Sequence, residues 1–417
     1  MSKLDPELHL VRAANQNDLS TIEESGALGV HTTGVPEPTI SVLIEHTGTA
    51  EQLAGAGVQV SSSTGTIVTG RIPISRLDDL EALDTVVYVE ASRLMHQDLN
   101  VAVPEVNADD VHNLPATGNP PTRWRGRGVI VGIVDSGIDY THPAFRDAAG
   151  NSRILRIWDQ NLVPTGAERS PDGFTYGVEY TQADINAALA TATPATLVRT
   201  RDYSTNSGHG THVAGIAAGN GRPAGTFVGA APEADLVIVA SRATAAPPGM
   251  GGSAETLDAI NYIFTVARTL GQPAVVDISQ GDNLNAHDGT SLLEKGIDEL
   301  LGEPGRAVVK SAGNTAVGNI HATGVVPAGG SLRVQFNVPA ADVATDFMEI
   351  WYSGRDRFDV RITDPAGNTV GPVSPANPAA VGDFVMPGGN RVRIESELQH
   401  PRNNDNRIFI SLLRGTA

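Results

Sequence analysis

The sequence contains no cysteine. Disulfide bonds, thiolate-ligated zinc and a cysteine nucleophile are thereby excluded, while the redox compartment stays open. Aromatic residues are scarce, at 5% of the 417 positions, and charged residues account for 18%. No basic run occurs, and 47 acidic against 29 basic residues give a formal net charge of −18. That balance argues against nucleic acid as a partner and favours solubility through self-repulsion. The opening MSKLDPELHL lacks the apolar core of a signal peptide, and no apolar run approaches the roughly 18 residues that span a bilayer. The expectation is a soluble chain with no membrane partner and no export signal of the common type.

What is present is a globular composition rich in turns, with 40% hydrophobic residues, 45 glycines and 26 prolines. The length suits two or three domains. Residues 1–38 are polar and read as a loosely held leader. Over residues 39–92 the segments TISVLIEHT, TAEQLAGAG, VQVSS, GTIVTGRIP, ISRLDDLEALD and VVYVEAS follow the order βαββαβ, a ferredoxin-like arrangement. Residues 93–127 form a linker rich in Pro, Asn and Gly. Residues 128–325 alternate apolar strands (GVIVGIVD, ADLVIVASR, AVVDISQG, GRAVVKSAGN) with helical stretches, which predicts an α/β domain with a mostly parallel sheet. Residues 326–417 switch to a two-residue period in SLRVQFNV, FMEIWYS, RFDVRITDPAGN, NRVRIESEL and NRIFISLL, as in a β-sandwich.

Ligands of open parallel sheets bind beyond the carboxyl ends of the strands. Asp135, Ser279 and Asn314 each follow such an end, and His209 opens a helix of small residues. An aspartate, a histidine and an amide donor on one edge suit acyl transfer. The aspartate would hold one imidazole tautomer, the histidine would act as general base, and Asn314 would stabilise an oxyanion. His212 lies one turn beyond His209, and spacing alone does not separate the two. A histidine metal pair lacks a carboxylate partner, and neither metal nor cofactor is expected.

These motifs resemble the subtilisin-like serine peptidases, or subtilases. VDSGID is similar to their aspartate motif, HGTHVAG to their histidine motif, SQG to their substrate-pairing Ser-x-Gly strand and SAGN to the segment of their oxyanion asparagine. The order Asp then His is that of subtilisin. The resemblance implies that Asp135 orients, that His209 is the base, and that Asn314 is the oxyanion donor. Ser279, Gln280 and Gly281 then pair with an extended polypeptide substrate, with Gln280 standing where the family has an apolar residue. His212 becomes a packed, hydrogen-bonded neighbour, and Asp139 and His142 become turn and packing residues. Residues 39–92 resemble the family's propeptide, which templates folding and then blocks the cleft in cis.

The family's nucleophile lies in a Gly-Thr-Ser-x-Ala-x-Pro segment, and no such segment occurs. Gly289–Ser291 precedes Asn314 rather than following it, and DGTS before an amphipathic helix reads as a capping turn. HDGTSLLE, WDQ with GFTYGVEYT, and a β unit directly after SAGN resemble the branch with a jelly-roll inserted before the serine. The expectation is a serine endopeptidase whose catalytic domain is incomplete at its C-terminus, the chain ending before its serine. The alternative is a nucleophile-less relative serving as a binding or regulatory protein.

Overall fold

The computed structural model describes residues 3–413 except 15–17, 21–29, 33–34, 65, 92–105, 115–123, 205–207, 226, 246–247, 251, 282, 314–319, 339–345 and 378. Two units emerge, Met1–Asp98 and Leu99–Ala417. Among the described residues no helix is long and apolar enough to cross a membrane.

The first unit contains α1 (Pro6–Ala13), β1 (Val30–His31), β2 (Thr39–His46), α2 (Ala50–Gly55), β3 (Gln59–Thr64), β4 (Ile67–Pro73), α3 (Leu77–Glu81) and β5 (Val86–Ala91). β2 alternates, sending Ile40, Val42 and Ile44 inward, as a strand covered on one face must. It pairs antiparallel with β4 on one side and with β1 and β5 on the other, and β3 closes the far edge beyond β4. A reciprocal cap between Thr49 and Gln52 starts α2.

The leader is not loose where it is described. Leu4, Leu8, Val11, Leu19 and Val30 are buried in the core of this unit. Asp5 fixes them: one carboxylate oxygen accepts from Leu8 N and the other from Ala91 N on β5, each at 2.7 Å. Polar composition concealed two apolar residues three apart, which suffice for one buried helical face.

The second unit opens with α4 (Ala108–Asn113), inside the stretch expected to be a linker. Its His112 is buried and hydrogen-bonded to Ala230 O at 2.7 Å. Then follow β6 (Ile130–Asp135), β7 (Ile154–Asp159), β8 (Val178–Thr181), α5 (Gln182–Leu189), α6 (His209–Ala218), β9 (Asp235–Ala240), β10 (Ala243–Ala245), β11 (Pro248–Met250), α7 (Ser253–Leu270), β12 (Ala274–Ile278), α8 (Leu292–Leu300) and β13 (Arg306–Lys310). The sheet order is β13-β12-β6-β9-β7-β8, parallel except for the antiparallel edge strand β8.

Every residue of the central strand β6 is buried. Val131 and Ile133 pack in one cluster with Ala214 and Ala218 of α6. Ile130 and Val134 pack in the other with Ala259, Ile260 and Ile263 of α7. Covering both faces is why the strand reads as an unbroken apolar run.

The remaining strands are β14 (Asp346–Tyr352), β15 (Val360–Thr363), β16 (Thr369–Val373), β17 (Ala380–Val385), β18 (Arg391–Glu397) and β19 (Asn406–Leu413). β14-β19-β18-β17 form an antiparallel sheet, and the β15–β16 hairpin packs its Ile362, Val370 and Val373 against Ile394, Ile408 and Ile410. This layer contacts the α/β part through Asn285 N, which donates to Glu349 Oε2 at 2.6 Å, and Asn403 Nδ2, which donates to Asp288 Oδ2 at 2.9 Å. SLRVQFNV, expected as a strand, is unpaired: Leu332, Val334, Phe336 and Val338 are all exposed. Alternation makes a strand only where a neighbouring strand takes up the backbone groups.

Candidate active site

The carboxyl edge of the parallel sheet gathers Asp135 at the end of β6, Asp159 at the end of β7, Ser241 after β9 and Ser279 after β12. α6 begins beside that edge with His209 as its first residue. His209 Nδ1 lies 2.8 Å from Asp135 Oδ1. Ser136 N donates to the same oxygen at 2.7 Å, and among the described residues Oδ2 is buried without a partner. An ionised carboxylate only accepts, so Nδ1 carries the imidazole proton and Nε2 is left as the basic nitrogen. The imidazole is 42% exposed and the carboxylate 0%. The pair therefore has one buried, orienting end and one end open to solvent.

His212 is exposed. The expectation of a packed, hydrogen-bonded ring is corrected: a three-residue step rotates the side chain by about 60° around the axis, enough to turn it off the sheet. Ser291 is the N-cap of α8, its Oγ accepting from Glu294 N at 3.2 Å while Ser291 N donates to Glu294 Oε2 at 2.9 Å. Asp139 accepts from Thr141 N and Oγ1, and His142 Nδ1 accepts from Ala144 N, so both shape the turn after β6.

Ser279, Gln280 and Gly281 continue from β12 without regular structure. Ser279 Oγ donates to Asp277 Oδ2 at 3.1 Å. Gln280 Nε2 donates to Ser241 Oγ and Thr256 Oγ1, each at 3.3 Å, and its Oε1 is buried without a partner among the described residues. Burial raises the Asp277 carboxyl above its ordinary value; the Ser279 hydrogen bond opposes this and the Asp135 charge adds to it. Asn314 lies outside the described residues. Among the described residues no group of three His, Cys, Asp or Glu side chains is arranged to hold a metal ion.

Sequence reasoning missed Ser136, Asp202, Ser204 and Thr211, whose side chains join at the start of α6. An acid seven residues ahead of His209 lies outside the spacing of an ordinary helix cap, so no local signal marks Asp202.

A buried aspartate at a parallel strand end thus holds the first histidine of a packed helix in an α/β fold. The subtilase family model matches residues 126–410, and the chain belongs to that family. It is similar to the PII-type proteinase of Lactococcus lactis subsp. cremoris, 28% identical over 216 residues, covering 49% of this chain and 10% of that one. It is also similar to the minor extracellular protease Vpr of Bacillus subtilis, 27% identical over 241 residues, covering 58% of this chain and 23% of that one. Among solved structures, the Clostridium perfringens CspB protease matches with a TM-score of 0.57 and 28% identity, over 69% of this chain and 56% of that one. The α/β part thus has the subtilisin-like fold. The chain spans a quarter or less of the length of these two curated relatives.

Proposed function

We propose that this chain carries the orienting carboxylate and the general base of a serine endopeptidase, Asp135 and His209. The observation that supports it most is the 2.8 Å contact between His209 Nδ1 and the fully buried Asp135. Asp135 keeps the proton on Nδ1 and stabilises the imidazolium. Nε2 takes the proton of a serine hydroxyl as its oxygen attacks the substrate carbonyl, and returns it to the departing amine. Water then repeats the cycle on the acyl-enzyme and frees the acid. Asn314 donates to the oxyanion, and the backbone of Ser279, Gln280 and Gly281 pairs with the extended polypeptide substrate. The βαββαβ unit over residues 39–92 acts as a propeptide in cis.

The nucleophile is assigned to no residue of these 417. Ser291 is engaged as a helix cap. The test is labelling by a fluorophosphonate probe of residues 1–417, of its Ser291→Ala variant, and of the protein as its host produces it. Labelling of the host-made protein that is lost in His209→Gln, with none of residues 1–417, is the expected result. Labelling of the 417-residue chain that disappears in Ser291→Ala, or labelling indifferent to His209, overturns the reading.

A further inference from the structure

The first N–H groups of a helix have no acceptor within it. α6 starts after Gly208, which has no side chain with which to cap. Its first three N–H groups are nevertheless all satisfied. His209 N donates to Ser204 Oγ at 2.9 Å, Gly210 N to Ser136 Oγ at 3.0 Å, and Thr211 N to Asp202 Oδ2 at 2.8 Å.

The three acceptors converge on one carboxylate. Ser204 Oγ and Ser136 Oγ each donate to Asp202 Oδ1 at 2.7 Å, and Thr211 Oγ1 donates to Asp202 Oδ2 at 2.7 Å. Each serine hydroxyl therefore accepts from the helix and passes its own proton to Asp202. We propose that Asp202 is the positioning residue for His209, capping the helix that carries it through the Ser136 and Ser204 hydroxyls. The inference rests on the assignment of Asp135 and His209 made above.

A second consequence concerns Asp135 directly. Ser136 Oγ also lies 3.1 Å from Asp135 Oδ1, the oxygen that faces His209 Nδ1. A hydroxyl has one proton, and the shorter contact to Asp202 takes it. With the charge at position 202 removed, that proton turns to Asp135 and competes with His209 for the same oxygen.

Asp202 is held in place from behind. Tyr203 N donates to Ser136 O at 2.8 Å. Gly137, at φ +118°, lets the Arg201 carbonyl so close that a Cβ there would lie 2.1 Å from it. Burial alone would raise the Asp202 carboxyl; the hydrogen bonds from Ser204, Thr211 and Ser136 outweigh it and hold the group below the ordinary carboxylate value. Asp202 is thus charged throughout the neutral range.

The test needs no turnover. In the 417-residue chain labelled with 15N-histidine, the Nδ1 proton of His209 is assigned by its loss in His209→Gln, and its exchange with solvent is measured. Asp202→Asn keeps the size of the side chain, and exchange is expected to quicken by about tenfold, the change in opening equilibrium that loss of an ordinary cap brings. Exchange within about twofold of the wild type overturns the proposal. Should Asp202→Asn not fold, Ser204→Ala cuts one relay and leaves the carboxylate; it is expected to quicken exchange severalfold, and an unchanged rate overturns the proposal. If the wild-type chain has no protected Nδ1 proton at all, the Asp135–His209 pair itself fails, an outcome distinct from a pair that is present but indifferent to Asp202.

Discussion

Gly210 and Gly137 meet backbone to backbone: a Cβ on Gly210 would lie 2.2 Å from the Gly137 carbonyl oxygen and 3.1 Å from Asp135 Oδ1. The glycine after His209 is therefore required by the approach of α6 to the end of β6, not by any backbone freedom. Gly210→Ala gains about 1 kcal/mol of helix propensity, but the clash is with backbone and cannot be relieved by a rotamer. We expect a net destabilisation of about 1–3 kcal/mol in urea denaturation, from overpacking. A variant as stable as the wild type would show that the helix start can move without cost.

Arg153 fastens the other end of the same helix. Its buried guanidinium donates from Nη1 to Ala218 O at 2.8 Å and to Ala144 O at 3.2 Å, and from Nη2 to Ala234 O at 2.5 Å. Arg153→Met removes the donor to the Ala218 and Ala234 carbonyls, while Ala144 O keeps Asn220 N; the expected loss is about 2 kcal/mol or more, at roughly 1 kcal/mol or more for each of the two. Arg153→Lys does not rescue it, because an ammonium cannot span three acceptors fixed around a planar fork. Equal stability of the Lys variant and the wild type in urea melts would refute this account.

His400 links acidity to the stability of the β layer. Its buried ring stands edge-on to Trp351, 5.1 Å between centroids. Burial pushes the imidazole below its ordinary value; Glu397 opposes this, and the Arg407 and Arg402 charges add to it. A folded-state value below the unfolded one means that the unfolded chain takes up the proton first. Stability is unaffected well above the ordinary histidine value of about 6.5 and falls as pH drops below it, by at most about 1.4 kcal/mol per pH unit. Comparing urea melts followed by tryptophan fluorescence at about pH 5 and about pH 7.5 should show a smaller loss in His400→Asn than in the wild type. Identical losses would remove His400 from the account.

The N-terminal unit has a hydrophobic core of its own. Produced as residues 1–98 and added to a complete subtilase, it is expected to inhibit peptide hydrolysis competitively. Absence of inhibition at micromolar concentration would leave it a separate module rather than a propeptide.

The sequence disclosed those parts whose environment is uniform along a segment. β6 and β9 are buried at nearly every position and read as apolar runs. β7 did not stand out, because Arg156 and Asp159 interrupt ILRIWD, one pairing at the strand face and the other receiving the Tyr203 hydroxyl at 2.8 Å. The Asp135–His209 contact was legible through motif order, whereas the acceptors of the α6 N–H groups were not. They come from positions 136, 202 and 204, brought together only by the chain crossing the end of β6.

The strand order also dictates how this molecule reaches its native state. Ile130 of the central strand pairs with Asp235 on one side and Ala274 on the other. The nearest of these partners is roughly a hundred residues away along the chain, so long loops must close before the central strand gains either parallel neighbour. The expected behaviour is slow assembly through collapsed species with uncovered strand edges. Asp135 and His209 are themselves separated by 74 positions. Their contact reports the docking of α6 on β6, and its appearance during refolding would mark the step at which the crevice is formed.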